Sequence, residues 1–105
     1  MDRIANYRQI ISGYLLKQAE IPYAPGSGMR HVAVIDQERD HYLMLTVGQS
    51  KSGPVNDTDI YLSIQDNKVL LLKANIDWDV LAELEEAGIA KEDLIDATQS
   101  LKLVN

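Results

Sequence analysis

Apolar residues recur at three- and four-residue steps near the start of the chain: Ile4, Tyr7, Ile11, Tyr14 and Leu15 share one helical face. This spacing predicts a helix over residues 2–20. Asp2 is placed to cap it, and Pro22 pushes Ile21 out of helical geometry and ends it. Gly13, at its middle, costs about 1 kcal/mol relative to alanine. The segment Pro22-Tyr23-Ala24-Pro25-Gly26-Ser27-Gly28 fits neither helix nor strand and reads as a linker. Four strands are then predicted, over 30–36, 41–47, 58–65 and 68–73. The charged turn Gln37-Glu38-Arg39-Asp40 joins the first two, and Asp66-Asn67, a pair that tolerates positive φ, joins the last two. A Gly/Ser-rich loop is expected over Gly48–Pro54. The third strand alternates, with Ile60, Leu62 and Ile64 on one side and Tyr61, Ser63 and Gln65 on the other. Two short helices are predicted to close the chain. One spans 78–87, capped by Asp77 and stopped at Gly88; the other spans 91–98, with Glu92 and Asp93 in its first turn. Val80, Leu81, Leu84, Leu94 and Ile95 form their packing face. The pattern therefore predicts an α+β fold in one domain over 1–105: an N-terminal helix, a four-stranded antiparallel meander sheet and a C-terminal helical hairpin.

Turn lengths fix the register within each hairpin. Asp36 then lies opposite His41, Val34 opposite Leu43, Ile64 opposite Val69 and Leu62 opposite Leu71. Each hairpin is apolar on both sides, whereas a sheet with one wet face should alternate apolar and polar residues. Either helices cover both faces or one face is buried against another molecule. Grouping the two hairpins places Val34, Leu43, Leu62 and Leu71 on one face. Tyr42, Met44, Tyr61, Leu70 and Leu72 then form the opposite face, the candidate interaction surface. Burial of that patch across a two-fold axis predicts a homodimer.

Charge changes the picture more than composition does. Lys and Arg number 10 against 16 Asp and Glu, a net charge of −6. The cations are scattered from Arg3 to Lys102, and no three share any eight-residue window. Direct nucleic-acid binding is therefore not expected, and a basic protein partner is favoured. The longest apolar run, Val69–Leu72, is far short of the roughly 20 residues of a membrane helix. The start, Met1-Asp2-Arg3-Ile4, lacks the basic and apolar regions of a secretory signal. The 105 residues contain no cysteine, which excludes disulfides and thiolate chemistry and fits a cytoplasmic location.

The densest group of functional side chains is the polar turn Asp36, Glu38, Arg39, Asp40 and His41. Asp36, Asp40 and His41 offer a metal-binding reading, set against an ordinary solvated turn with a cross-strand Asp–His pair. His31 faces Thr46, too far along the strand to join His41 on one ion. The acids Glu83, Glu85, Glu86, Glu92, Asp93 and Asp96 read as solvated helix faces rather than general acids. Trp78 reads as a packing residue at a helix start. Neither a phosphate-cradling G-x-x-x-x-G-K-[ST] loop nor a G-x-G-x-x-G turn is present. No catalytic, cofactor-binding or metal-binding residue is assigned, and no cofactor is expected.

Five segments together resemble the XisI family of small cyanobacterial proteins. They are Tyr7-Arg8-Gln9-Ile10-Ile11, Ile21-Pro22-Tyr23-Ala24, Glu38-Arg39-Asp40-His41-Tyr42, Val47-Gly48 and Gly88-Ile89-Ala90-Lys91-Glu92-Asp93-Leu94. The resemblance implies an accessory, non-enzymatic role in site-specific excision of a DNA element, exerted by binding a nuclease-like XisH-type protein. It transfers no catalytic residues. The chain departs from the family pattern at Gln49, Leu70, Ile76 and Ala90 and lacks an aromatic-rich tail, as expected of a divergent or shortened member. The alternative is a small-molecule or metal-dependent enzyme built on the Asp36/His41 turn.

Overall fold

The computed structural model describes residues 2–99. Helix α1 (Arg3–Ala19) begins where Asp2 accepts a hydrogen bond from the Ile4 N–H at 3.0 Å. After the exposed linker come β1 (Met29–Asp36), β2 (His41–Ser50), β3 (Gly53–Gln65) and β4 (Lys68–Ala74). Helix α2 (Val80–Ala87) follows, then a 3-10 turn (Lys91–Asp93) and a last strand, β5 (Leu94–Asp96). The strands form one sheet in the order β1-β2-β3-β4-β5, antiparallel except that β5 runs parallel to β4.

The α+β class stands, but the sheet has five strands and is mixed, and the predicted C-terminal helical hairpin is not seen among the described residues. Of the residues predicted as a second short helix over 91–98, 91–96 instead make the 3-10 turn and β5, whose Leu94, Ile95 and Asp96 pair with Val69, Leu70 and Leu71. The free edge of β4 offers a ladder, and three residues of extended chain satisfy it where a one-turn helix would leave its ends unpaired. Helix α2 starts two residues later than expected, capped by Asp79 through the Ala82 N–H at 3.1 Å rather than by Asp77. The predicted Gly/Ser loop at 48–54 is also shorter than expected. Strands β2 and β3 continue to Ser50 and from Gly53, with only Lys51-Ser52 turning between them. Pro54 is tolerated there because β4 pairs only with residues 60–65 of β3, which leaves that end of β3 an edge.

The β1–β2 register matches the turn arithmetic throughout, and the β3–β4 register matches it from the turn as far as Leu62, beyond which Tyr61 meets Lys73 rather than the expected Leu72. Asp36 pairs with His41, His31 with Thr46, Ile64 with Val69 and Leu62 with Leu71. Asp66 and Asn67 both adopt positive φ, 52° and 65°, as a tight hairpin turn requires. Two irregularities interrupt the ladders, at Met44/Leu45 against β3 and at Tyr61/Leu62 against β4.

One face of the sheet carries the core. Tyr7, Ile11 and Leu15 of α1 and Val80 and Leu84 of α2 pack on Tyr42, Met44, Ile60, Leu62, Val69 and Leu71. Ile89, just after α2, closes the same cluster. This corrects the expected grouping of faces. Tyr42 and Met44 are fully buried under the helices beside Leu62 and Leu71, because β2 pairs with β3 so that Tyr42 meets Leu62 and Leu43 meets Tyr61. Tyr61, Leu70 and Leu72 lie on the other face, with Val34 and Leu43.

Candidate functional site

The open face of the sheet is the first candidate. Strand alternation places Val32 and Val34 of β1, Leu43 and Leu45 of β2, Tyr61 of β3 and Leu70 of β4 on it. Ile95 of β5 extends the row beside Leu70. Val34 and Ile95 are 41% and 40% exposed, and the others are partly exposed. Helix α1 packs against β1 and β2 from the opposite side, so among the described residues no helix covers this face. Of the expected surface, Tyr61, Leu70 and Leu72 are brought together here, and Tyr42 and Met44 are not.

The polar turn is the second candidate, and its side chains diverge. The Asp36 carboxylate accepts the Glu38 and Arg39 N–H groups at 3.1 and 3.0 Å and pairs with the Arg39 guanidinium at 3.2 Å. The Arg39 backbone N–H, foremost, holds its carboxyl below the usual range. Asp40 turns toward α1, where Arg8 grips both carboxylate oxygens at 2.8 and 3.1 Å and Tyr42 donates its hydroxyl at 2.8 Å. Arg8 lowers the Asp40 carboxyl pKa, and burial followed by the bond to Asp40 raises that of the Tyr42 phenol. His41 meets the Tyr61 hydroxyl through Nδ1 at 2.8 Å, and the Glu38 side chain is exposed. Asp36, Asp40 and His41 thus each serve a different partner. Among the described residues no group of three His, Cys, Asp or Glu side chains is gathered to hold a metal ion.

Asp40 is instead a structural junction. Its φ of 60° suits the left-handed turn that starts β2, its carboxylate anchors α1, and its carbonyl accepts the Ile64 N–H and the Ser63 hydroxyl of β3. A second junction escaped the sequence reading. Asp93, expected on an exposed helix face, is 2% exposed. It accepts the Tyr7 hydroxyl at 2.6 Å and Lys68 Nζ at 3.0 Å, with Arg3 at 3.5 Å. These donors, the Tyr7 hydroxyl foremost, hold its carboxyl below the ordinary range. Nothing local marks Asp93 as buried, because Tyr7 stands 86 residues away in the chain. Trp78, read from the sequence as a packing residue, is 37% exposed; its Nε1 donates to the Tyr14 hydroxyl, which donates to Glu83 at 2.5 Å.

Two of these junctions join segments that carry the family resemblance, Tyr7 to Asp93 and Arg8 to Asp40, and Gly48 of another such segment lies against the backbone of Gly28. The family model described as XisI protein matches residues 1–103. The chain belongs to the XisI family. Two solved structures from Anabaena variabilis ATCC 29413 share the fold. An XisI-like protein is 23% identical, with a TM-score of 0.83 over 92% of this chain and 88% of that one. The fdxN element excision controlling factor XisI is 26% identical, with a TM-score of 0.74 over 90% of each chain. Among curated proteins no relative matches at significance. Three of the XisI-family segments, around Tyr7-Arg8, Asp40 and Asp93, thus supply in this chain contacts that fasten α1 to the sheet and to the C-terminal turn.

Proposed function

We propose that this chain is a non-enzymatic regulatory protein, an accessory factor in site-specific excision of a DNA element, that acts by binding a nuclease-like XisH-type protein. Family membership and the similarity to a protein named as an excision controlling factor support the regulatory role. The single observation that supports a binding mode is the apolar sheet face that no helix covers among the described residues. Removing such a face from water favours association by roughly 25 cal/mol per Å² of apolar surface. The net charge of −6 favours a basic partner and disfavours direct contact with the phosphate backbone.

Co-expression with an XisH-type protein, followed by affinity capture and sizing, tests this. The wild-type chain should elute with the nuclease-like protein. Ile95→Lys, which puts a cation on the half-exposed face, should separate them while leaving the fold intact. Separate elution of the wild-type proteins in mild salt would sink the reading, and so would retention by the Ile95→Lys variant equal to wild type.

A further inference from the structure

The two edges of the sheet are protected unequally. On one side β5 is three residues long and gives a short edge. On the other, β1 offers eight residues, Met-Arg-His-Val-Ala-Val-Ile-Asp, with no proline and no bulge in its pairing to β2. The Gly28 carbonyl accepts the Gln49 N–H, which sets the phase of that ladder. Antiparallel alternation then directs the main-chain groups of Arg30, Val32, Val34 and Asp36 toward β2. Those of Met29, His31, Ala33 and Ile35 point away from the sheet. A long, regular strand with outward N–H and C=O groups is a template for another strand.

The side chains along this edge identify what fits it. Arg30 and Asp36 stand at opposite ends of β1 on the same face, with Val32 and Val34 between them. Arg30 is exposed and makes no ion pair among the described residues. An antiparallel second copy centred on Ala33 sets Arg30 opposite Asp36 of the second copy, and Asp36 opposite its Arg30. The same register lays Val32 against Val34 twice and lets the outward groups of His31, Ala33 and Ile35 exchange hydrogen bonds. Opposite charges thus meet at both ends, and the strand is complementary to itself under a two-fold axis.

We propose that β1 is a self-recognition strand through which two copies of this chain join edge to edge about Ala33, merging two five-stranded sheets into one. The helix-free apolar faces of the two copies then lie side by side as one continuous surface. This inference stands independently of the nuclease-like partner, since it uses an edge of the sheet rather than its face and a different occupant.

Sedimentation of the wild-type protein across the micromolar range should show a dimer. Arg30→Glu sets like charges opposite each other twice and should weaken it about tenfold or more, as should Asp36→Lys. An equimolar mixture of the two variants restores opposite charges at both contacts and should dimerise again. A cysteine-free chain allows a second reading that does not depend on those variants folding. Under mild oxidation, Val32→Cys and Val34→Cys proteins mixed together should cross-link. Each alone should not, because like positions lie about 7–8 Å apart diagonally, beyond disulfide reach. A wild-type monomer at high micromolar concentration overturns the proposal. So does an Arg30→Glu protein as dimeric as wild type, or cross-linking of either cysteine variant alone as readily as in the mixture.

Discussion

Gly48 shows how a single position can be decided by the backbone of another element. A Cβ built there would lie 2.1 Å from the Gly28 carbonyl oxygen and 2.9 Å from the Met29 Cα. Both obstacles are main chain, so no flexible side-chain tip can give way. The linker reaches β1 only because it passes across a residue without a side chain. Gly48→Ala should therefore cost about 1–3 kcal/mol, the range for forced overpacking, by separating the start of β1 from β2. Urea unfolding measures this, and a midpoint unchanged from wild type would contradict the contact. Nearby Tyr23, whose hydroxyl meets Thr46 at 2.6 Å, should become more solvent-accessible in the variant. The resemblance segment Val47-Gly48 was visible in the sequence. The reason for its glycine was not, because the obstructing carbonyl lies twenty positions earlier in an irregular linker.

At the scale of elements, α1 is fastened to the sheet by carboxylates as much as by its apolar stripe. Asp40 holds Arg8, and Asp93 holds Tyr7; both carboxyls titrate below their ordinary range, chiefly because of those donors. A carboxyl whose pKa is lower in the folded state stabilises the protein above its unfolded value of about 3.9, and that contribution disappears as pH falls through the lowered value. The fold should accordingly lose stability as the solution is acidified below about pH 4. In Asp40→Asn the group can no longer titrate, so its melting temperature should start lower at neutral pH and decline less steeply toward acid. Thermal melts by circular dichroism at a series of pH values check this, and parallel acid limbs for variant and wild type would remove Asp40 from the explanation. The sequence disclosed these elements unevenly. The helix α1 stripe and the two hairpin registers were legible because period and turn length are local properties. The pairing of one hairpin with the other runs through an irregularity at Met44/Leu45, so the face shared by Tyr42 and Leu62 could not be counted out along the chain. Likewise β5 is too short to show a period, and its extended form follows from the free edge of β4.

For the whole molecule, the decisive feature is a sheet whose two sides are equally apolar in sequence but unequal in burial. Strands β2 and β5 put Met44, fully buried beneath α1, and Ile95, 40% exposed, on opposite sides of the same sheet. The same substitution at each should have very different consequences. A lysine in place of Met44 would bring an unpaired ammonium into the cluster of Tyr7, Ile11 and Leu15, where desolvation is not compensated. That variant should be largely unfolded at neutral pH by circular dichroism and sizing. A lysine in place of Ile95 keeps its ammonium in water, and the change should stay within about 0.5 kcal/mol of wild type, as for ordinary surface positions. If Ile95→Lys instead unfolds the chain as Met44→Lys does, the second face is core, covered by something within the protein, and it is no longer available to a partner. If it folds, any loss of capture by the nuclease-like protein belongs to the surface itself rather than to damaged structure.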